Sequence, residues 1–389
     1  MSVNTMDFNQ AAALLNNIRQ QVTGKSALAP VNDTEWVSVA QQVLAVGTEP
    51  VMNAISQLVG RTIFSSRPYD AKFKGLQVDN QRFGGITRKL QIKDKDFDNA
   101  ASFQLVDGQA VDMYVVNKPE VLQTNFYGTN VFVKDYTIFR DQLNSAFRSA
   151  EEFGEFTSMV ATNAQNMIEQ AKESLARACL GNFIVGKVAA TNGVIHLLTE
   201  YNAATGLSLT ATSVMQPANF PAFAKWAYAR IETLSNFMSE RSDMYQIQIT
   251  GKEITRHTPR NRQRVYLYAP LLAEVSSRVL ADTYHDNFLR YADVESVNFW
   301  QAIQTPDTIN AAPVFLKTDG TLNTSTGATT VSKIFGVIFD EDALGYNVFG
   351  EHTNMTPLNA RGDYWNVFHH FNMRYWNDFT EKGIVLLLD

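Results

Sequence analysis

The chain has 389 residues, with 33 basic and 39 acidic side chains, a net charge of −6, 45% hydrophobic residues and 19% charged residues. That length suggests two or three domains with cores of their own, and the composition excludes wholesale disorder. The acidic balance argues against a dedicated nucleic-acid binder, and a single cysteine, Cys179, excludes an internal disulfide framework and a cysteine-rich zinc site.

Residues 1–60 read as a run of short helices. Met1 to Gln20 lacks the basic start and cleavage site of a signal peptide, so export by that route is not expected. Leu15, Ile18 and Val22 keep helical spacing, and Trp36 to Val46 repeats the pattern after a turn at Asp33-Thr34. A third helix, Val51 to Val59, is punctuated by Thr48, Pro50 and Gly60. From Arg61 to Phe139 the character becomes strand. Ile86, Leu90 and Ile92 alternate with Thr87, Lys89 and Gln91. The polar tip Lys93-Asp94-Lys95-Asp96 follows, and Val111 to Val116 is the expected return strand of a long hairpin with too little apolar surface for a core of its own.

Phe153, Phe156, Val160, Ala164, Met167, Ala171, Leu175 and Ala178 then advance by three or four, which predicts one long helix stopping at Gly181. A mixed α/β region follows. Strands are expected at Ile195 to Leu198, Tyr245 to Thr250 and Val265 to Tyr268, and helices at Phe220 to Met238 and Leu271 to Tyr284. Residues 305–333 turn polar and read as an inserted loop or small hairpin about Thr318-Asp319-Gly320. Strands close the chain: Phe335 to Phe339, Trp365 to Tyr375 with odd positions apolar apart from His369, and the buried run Ile384 to Leu388. No apolar stretch approaches 18 residues, so a soluble protein without a membrane partner is expected.

Chemistry-bearing patterns are sparse. There is no phosphate-binding glycine loop, no nucleophile elbow and no HExxH pair, so no catalytic, cofactor-binding or metal residue is assigned. The six histidines are scattered, and His369-His370 point to opposite faces of a strand. Asp340-Glu341-Asp342 reads as a solvated turn rather than a cation site, and Arg361-Gly362-Asp363 as turn chemistry rather than an adhesion tripeptide. The basic run Lys252, Arg256, Arg260, Arg262 and Arg264, with His257 beside it, holds one acid, Glu253. It reads as a solvated loop or a subunit contact, with DNA contact a further alternative.

The order of these elements resembles the major capsid proteins of tailed bacteriophages, the Hong Kong 97 fold of the α+β class. Phe83-Gly84-Gly85-Ile86 through Asp96-Phe97-Asp98, Asn125 to Phe147, and Arg361-Gly362-Asp363-Tyr364-Trp365 with Phe379 and Ile384 to Leu388 look most like the capsid proteins of short-tailed phages. The resemblance covers roughly residues 35–389. It implies a helical N-arm at 1–60, an extended E-loop hairpin region at 61–139 and the P-domain spine helix at 140–184. An A-domain at 185–333, with the 305–333 insert, and strands at 334–389 returning to the P-domain complete the division.

The function so implied is that of a major head protein, self-assembling as hexamers and pentamers into the icosahedral shell of a virion built in the host cytoplasm. Scaffolding and portal proteins would be partners, and the packaged double-stranded DNA would be touched weakly and nonspecifically. The tip residues Lys93, Asp94, Lys95 and Asp96 are candidates for inter-subunit contact, and 25 Phe with 14 Tyr supply large side chains for interfaces. Relatives that cross-link through lysine and asparagine raise Lys93 and Lys95 as donors, but no partner asparagine is identifiable, and exposed charge is the ordinary reading. A shell of the encapsulin type is the close alternative, and an enzyme of unknown α+β type a distant one.

Overall fold

A computed structural model describes residues 8–23, 33–45, 72–78, 86–93, 106–108, 110, 114, 116, 118–127, 130–142, 150–278, 294–324 and 327–389. The third N-terminal helix at 51–59, the Gly84-Gly85 pair and the tip residues Asp94, Lys95 and Asp96 lie outside them. The chain divides into two compact units, one of residues 1–83, 129–175 and 347–374, the other of residues 84–128, 176–346 and 375–389.

In the first unit, helices α1 (Phe8–Thr23) and α2 (Asp33–Ala45) pack on each other. The helical spacing of the sequence is the reason, since Ala12, Leu15 and Ile18 of α1 and Trp36, Ala40 and Val43 of α2 are all buried. Helix α2 begins at Asp33 itself, where a turn was expected.

Strands β1 (Ile86–Ile92) and β2 (Val121–Tyr127) form an antiparallel pair in the second unit, with seven residues in register from Ile86↔Tyr127 to Ile92↔Val121. The return strand is therefore Val121–Tyr127 and not Val111 to Val116, of which Tyr114 and Val116 are described and stand exposed. Seven alternating residues find seven partners in β2, whereas the expected return run was shorter.

Strand β3 (Asn130–Phe139) leads to helix α3 (Ala150–Ala189), 40 residues and about 60 Å long. The helix runs through Gly181, where its end was expected. A glycine costs a helix only about 1 kcal/mol relative to alanine, and the buried Phe183, Ile184 and Val185 that follow outweigh it. Ala164 and Leu175 of the expected stripe are buried, whereas Ala178 is exposed and Cys179 beside it is buried. The helix stops where Thr191 and Gly193 take φ of 51° and 68°. A Cβ at Gly193 would lie 2.3 Å from the Gly383 carbonyl oxygen, so this turn admits only glycine.

The second unit continues with β4 (Val194–His196), α4 (Leu197–Thr205), α5 (Ala211–Val214), α6 (Phe220–Ser239), β5 (Gln263–Tyr268), α7 (Ala269–Arg278) and β6 (Val294–Val297). The small strands β7 (Ile309–Ala311), β8 (Val314–Leu316), β9 (Leu322–Thr324) and β10 (Thr329–Val331) follow, and make two small sheets of the expected insert. Then come β11 (Ile334–Asp340), β12 (Leu344–Met355), β13 (Tyr364–Asn377) and β14 (Gly383–Leu387).

The unit is organised about a five-stranded mixed sheet of order β4-β14-β11-β5-β6. Every residue of β11 and β14 is buried. Ile338, Ile384, Leu386, Val265 and Leu267 join Phe223, Ala227, Ile231, Leu234 and Met238 of α6 in one core. On other side chains of the sheet, Phe339 stacks on Tyr266 at 5.6 Å and meets Phe183 of α3 at 5.9 Å. Residues Tyr245 to Thr250 do not form the expected strand. The Gln248 side chain bonds both the N–H and the C=O of Ile254, at 3.1 and 2.9 Å, taking the place of a strand partner.

The first unit's sheet has the order β12-β13-β3, with β13 and β3 antiparallel from Tyr364↔Phe139 to Met373↔Asn130. Trp365, Val367, His369, Phe371 and Met373 are buried, as the alternation implied. Arg374, expected on the opposite face, is buried as well.

Candidate functional site

Strand β1 presents its faces in the reverse of the usual sense. Leu90 and Ile92 are 61% and 63% exposed, and Val121 and Tyr127 also face solvent, while Lys89 and Gln91 turn inward. What receives the polar face is a cluster of charge at the approach to β14. Lys89 Nζ donates to Asp378 Oδ2 at 2.7 Å and to Glu381 Oε1. Arg256 reaches the same Glu381 oxygen through Nη1, and its Nη2 donates to Gln91 Oε1 at 2.7 Å and Thr380 Oγ1 at 3.0 Å. The Thr380 N–H and hydroxyl both donate to Asp378 Oδ1, at 2.9 and 2.6 Å, which fixes the carboxylate in place.

Both carboxylates are buried. Burial alone would raise Asp378, but the Lys89 ammonium and the hydrogen bonds from Lys89 and Thr380 outweigh it and hold the group below the usual carboxylate range. Burial holds Glu381 above that range, against the pull of Lys89 and Arg256. Burial would lower Lys89, yet its two carboxylate partners hold it above an ordinary lysine. Fully burying Leu90 and Ile92 instead would yield about 1.5–3 kcal/mol each. Breaking a buried ion pair by removing one partner costs about 3–5 kcal/mol. The two quantities are comparable, about 3–6 kcal/mol for both side chains against about 3–5 kcal/mol for the pair, and the structure keeps Leu90 and Ile92 outward with Lys89 on the carboxylates.

Behind this cluster Lys187 of α3 is wholly buried. Its Nζ donates to the Tyr245 carbonyl at 2.8 Å and to Asn192 Oδ1 at 3.2 Å. Burial brings its ammonium down to about 7, although Asp378 and Glu381 pull the other way. Lys382, also buried, donates to the Glu240 carbonyl and to Ser242 Oγ at 2.7 and 2.8 Å.

The basic run is largely answered by the chain's own acids. Beside Arg256, Arg260 donates to Asn236 Oδ1 at 2.6 Å and faces Glu232 at 3.3 Å. Arg262 pairs with Glu341 at 3.0 Å, Asp340 at 3.6 Å and Asp342, and Arg264 reaches Glu341 at 3.6 Å. Lys252 and His257 are exposed. Asp340-Glu341-Asp342 is thus an arginine-paired turn, and among the described residues no group of three or more His, Cys, Asp or Glu side chains is placed to hold a metal ion. Of the hairpin tip only Lys93 is described. Its Nζ donates to the Gly251 carbonyl at 2.9 Å and faces Glu120 at 3.6 Å.

The remaining motifs are structural. Asn359 Oδ1 accepts from the Arg361 and Gly362 N–H groups at 3.1 and 3.0 Å, and Asp363 pairs with Arg140 at 3.2 Å. His369 Nδ1 lies 2.8 Å from Thr353 Oγ1, whereas His370 stacks on His352 at 4.8 Å. Sequence reasoning missed Asp378 and Glu381, which lie 289 and 292 positions from Lys89. The one local signal was a charged stretch, Asp378 to Lys382, between two strands of apolar character.

A long helix, an extended hairpin fastened to its own body and a mixed central sheet define the class of tailed-phage capsid subunits with the Hong Kong 97 fold. A chain of the capsid structure of Staphylococcus phage Andhra superposes with a TM-score of 0.54 at 11% identity, over 84% of this chain and 87% of that one. A chain of the structure of head fiber and inner core protein gp22 of native bacteriophage P68 gives 0.55 at 12% identity, with the same coverage. The model of the Phi29-like phage major capsid protein family matches residues 13–386, and the chain belongs to that family. No curated protein matches it. The chain is a major capsid protein, the structural building block of an icosahedral phage shell. Among the described residues no helix is long and apolar enough to cross a membrane.

Proposed function

We propose that the subunit assembles through hexamers and pentamers into the head of a short-tailed phage, in the host cytoplasm, with scaffolding and portal proteins as partners and double-stranded DNA as contents. The observation that carries the assembly reading is the outward apolar face of β1–β2, formed by Leu90, Ile92, Val121 and Tyr127. Apolar surface of this kind, on a two-stranded element with no core of its own, marks a contact with another chain. In this reading residues 1–60 serve as N-arm, 61–139 as the E-loop region, 140–184 as spine, 185–333 as A-domain and 334–389 as the returning strands.

The tip residues Asp94, Lys95 and Asp96 make inter-subunit contacts that set register and partner choice, while Lys93 is engaged by Gly251 and Glu120 of its own chain. In the basic run the exposed Lys252 is the group best placed for a neighbour or for DNA, since the four arginines already face acids or amides of their own chain. A net charge of −6 fits weak, nonspecific contact with packaged DNA. Electron microscopy of the purified full chain, alone and with its scaffold, tests the assembly. Closed shells or capsomers are expected, and a strictly monomeric folded chain across a wide concentration range in both conditions would overturn it.

A further inference from the structure

We propose that Lys89 is the positioning residue of the hairpin, its ammonium entering a socket built by Asp378, Glu381 and Arg256 that docks β1–β2 on its own subunit with Lys89 and Gln91 inward. The geometry has three parts. Lys89 stands at the middle of β1, opposite Thr124 of β2, so its contact together with that of Gln91 fixes how the pair lies on the unit. The socket has partners of its own besides the lysine: Thr380 holds Asp378, and Arg256 holds Glu381. Its neighbours in β1, Arg88 and Leu90, point to the opposite face and are exposed. Because side chains alternate along a strand, a slip of one residue would bring Arg88 or Leu90 over the two carboxylates and leave Lys89 outside. A slip toward Leu90 would leave the carboxylates without the ammonium, and a slip toward Arg88 would turn Gln91 away from Arg256, so only the observed register engages Lys89 and Gln91 together. A buried polar contact of this kind is the best attested means of specifying register.

Gln91 supports the same placement from two residues on, through Arg256 Nη2. The arrangement sets the course of the hairpin within a single chain, before any neighbour is met. It can be examined on the unassembled subunit, so its failure and the failure of the assembly reading are separate results.

Cys179, the chain's one cysteine, is buried in the same unit, so it stays silent to a maleimide while that unit remains folded. Single reporters can therefore be placed on each face, Thr124→Cys on the half-buried side and Gln123→Cys on the exposed side. With Lys89 present, the Thr124→Cys thiol should label slowly and the Gln123→Cys thiol quickly. Adding Lys89→Met should speed labelling of the Thr124→Cys thiol by at least about tenfold while Cys179 stays silent. Lys89→Arg, which keeps the charge, should preserve the slow labelling. Unchanged protection in Lys89→Met, equal loss in Lys89→Arg and Lys89→Met, or labelling of Cys179 in Lys89→Met would each overturn the proposal. The last would show that the lysine holds the body of the unit and not the placement of the hairpin.

Discussion

The ring of Phe379 lies so close to Gly186 of the long helix that a Cβ there would come within 2.6 Å of the ring's Cζ. The ring cannot withdraw, because Phe183 stacks on it at 5.4 Å and Phe315 meets it edge-on at 6.1 Å. Gly186→Ala should therefore destabilise the subunit by about 1–3 kcal/mol through overpacking, even after the gain in helix propensity. Gly181→Ala has an ordinary contact, 3.6 Å to Ile309, and should stabilise by up to about 1 kcal/mol. Urea unfolding of the two variants should move the midpoints in opposite directions.

Lys187 makes stability depend on pH with a definite sign. An unfolded lysine keeps its proton to a pH of about 10.4, whereas the buried one gives it up near about 7. Between those values the unfolded chain binds more protons, so this group makes stability rise with pH. From about pH 7 to about pH 9 the gain should be of the order of 2 kcal/mol. Lys187→Met should flatten that slope, as measured by urea unfolding of the unassembled chain at a series of pH values.

The arginines of the basic run should separate by burial. Arg256 and Glu381 are largely enclosed, so Arg256→Met leaves a buried carboxylate short of a partner and should cost about 3–5 kcal/mol. Arg260 and Glu232 are about half exposed or more, and Arg260→Met should change stability by less than about 1 kcal/mol. Equal effects in denaturant titrations would refute the distinction.

Helix α3 offers a similar contrast. Leu175 is buried and Ala178 exposed. Leu175→Asp should abolish folding or lower soluble yield severely, since an unpaired buried charge costs several kcal/mol. Ala178→Asp should leave yield and melting temperature nearly unchanged, which thermal denaturation of the purified variants will show.

What the sequence determined by itself is what short-range periodicity carries. The spacing of Leu15 and Ile18, the alternation from Trp365 to Met373, and the apolar run at Ile384 each describe a face or an element to be buried, and each is buried. The absence of catalytic spacings and the order of helix, hairpin, long helix and returning strands were legible for the same reason. Local pattern did not decide where the long helix ends, because Gly181 signals a stop only while its surroundings are unknown. The buried residues beyond it carry the helix on to Ala189, eight positions past Gly181, and the turn at Gly193 follows. Nor did it decide which strand answers β1 or which way that strand faces. Hydrophobicity alone puts Leu90 and Ile92 inside. The tertiary structure puts Lys89 there, because Asp378 and Glu381 arrive from nearly 300 residues away and buried carboxylates left without a cation cost several kcal/mol.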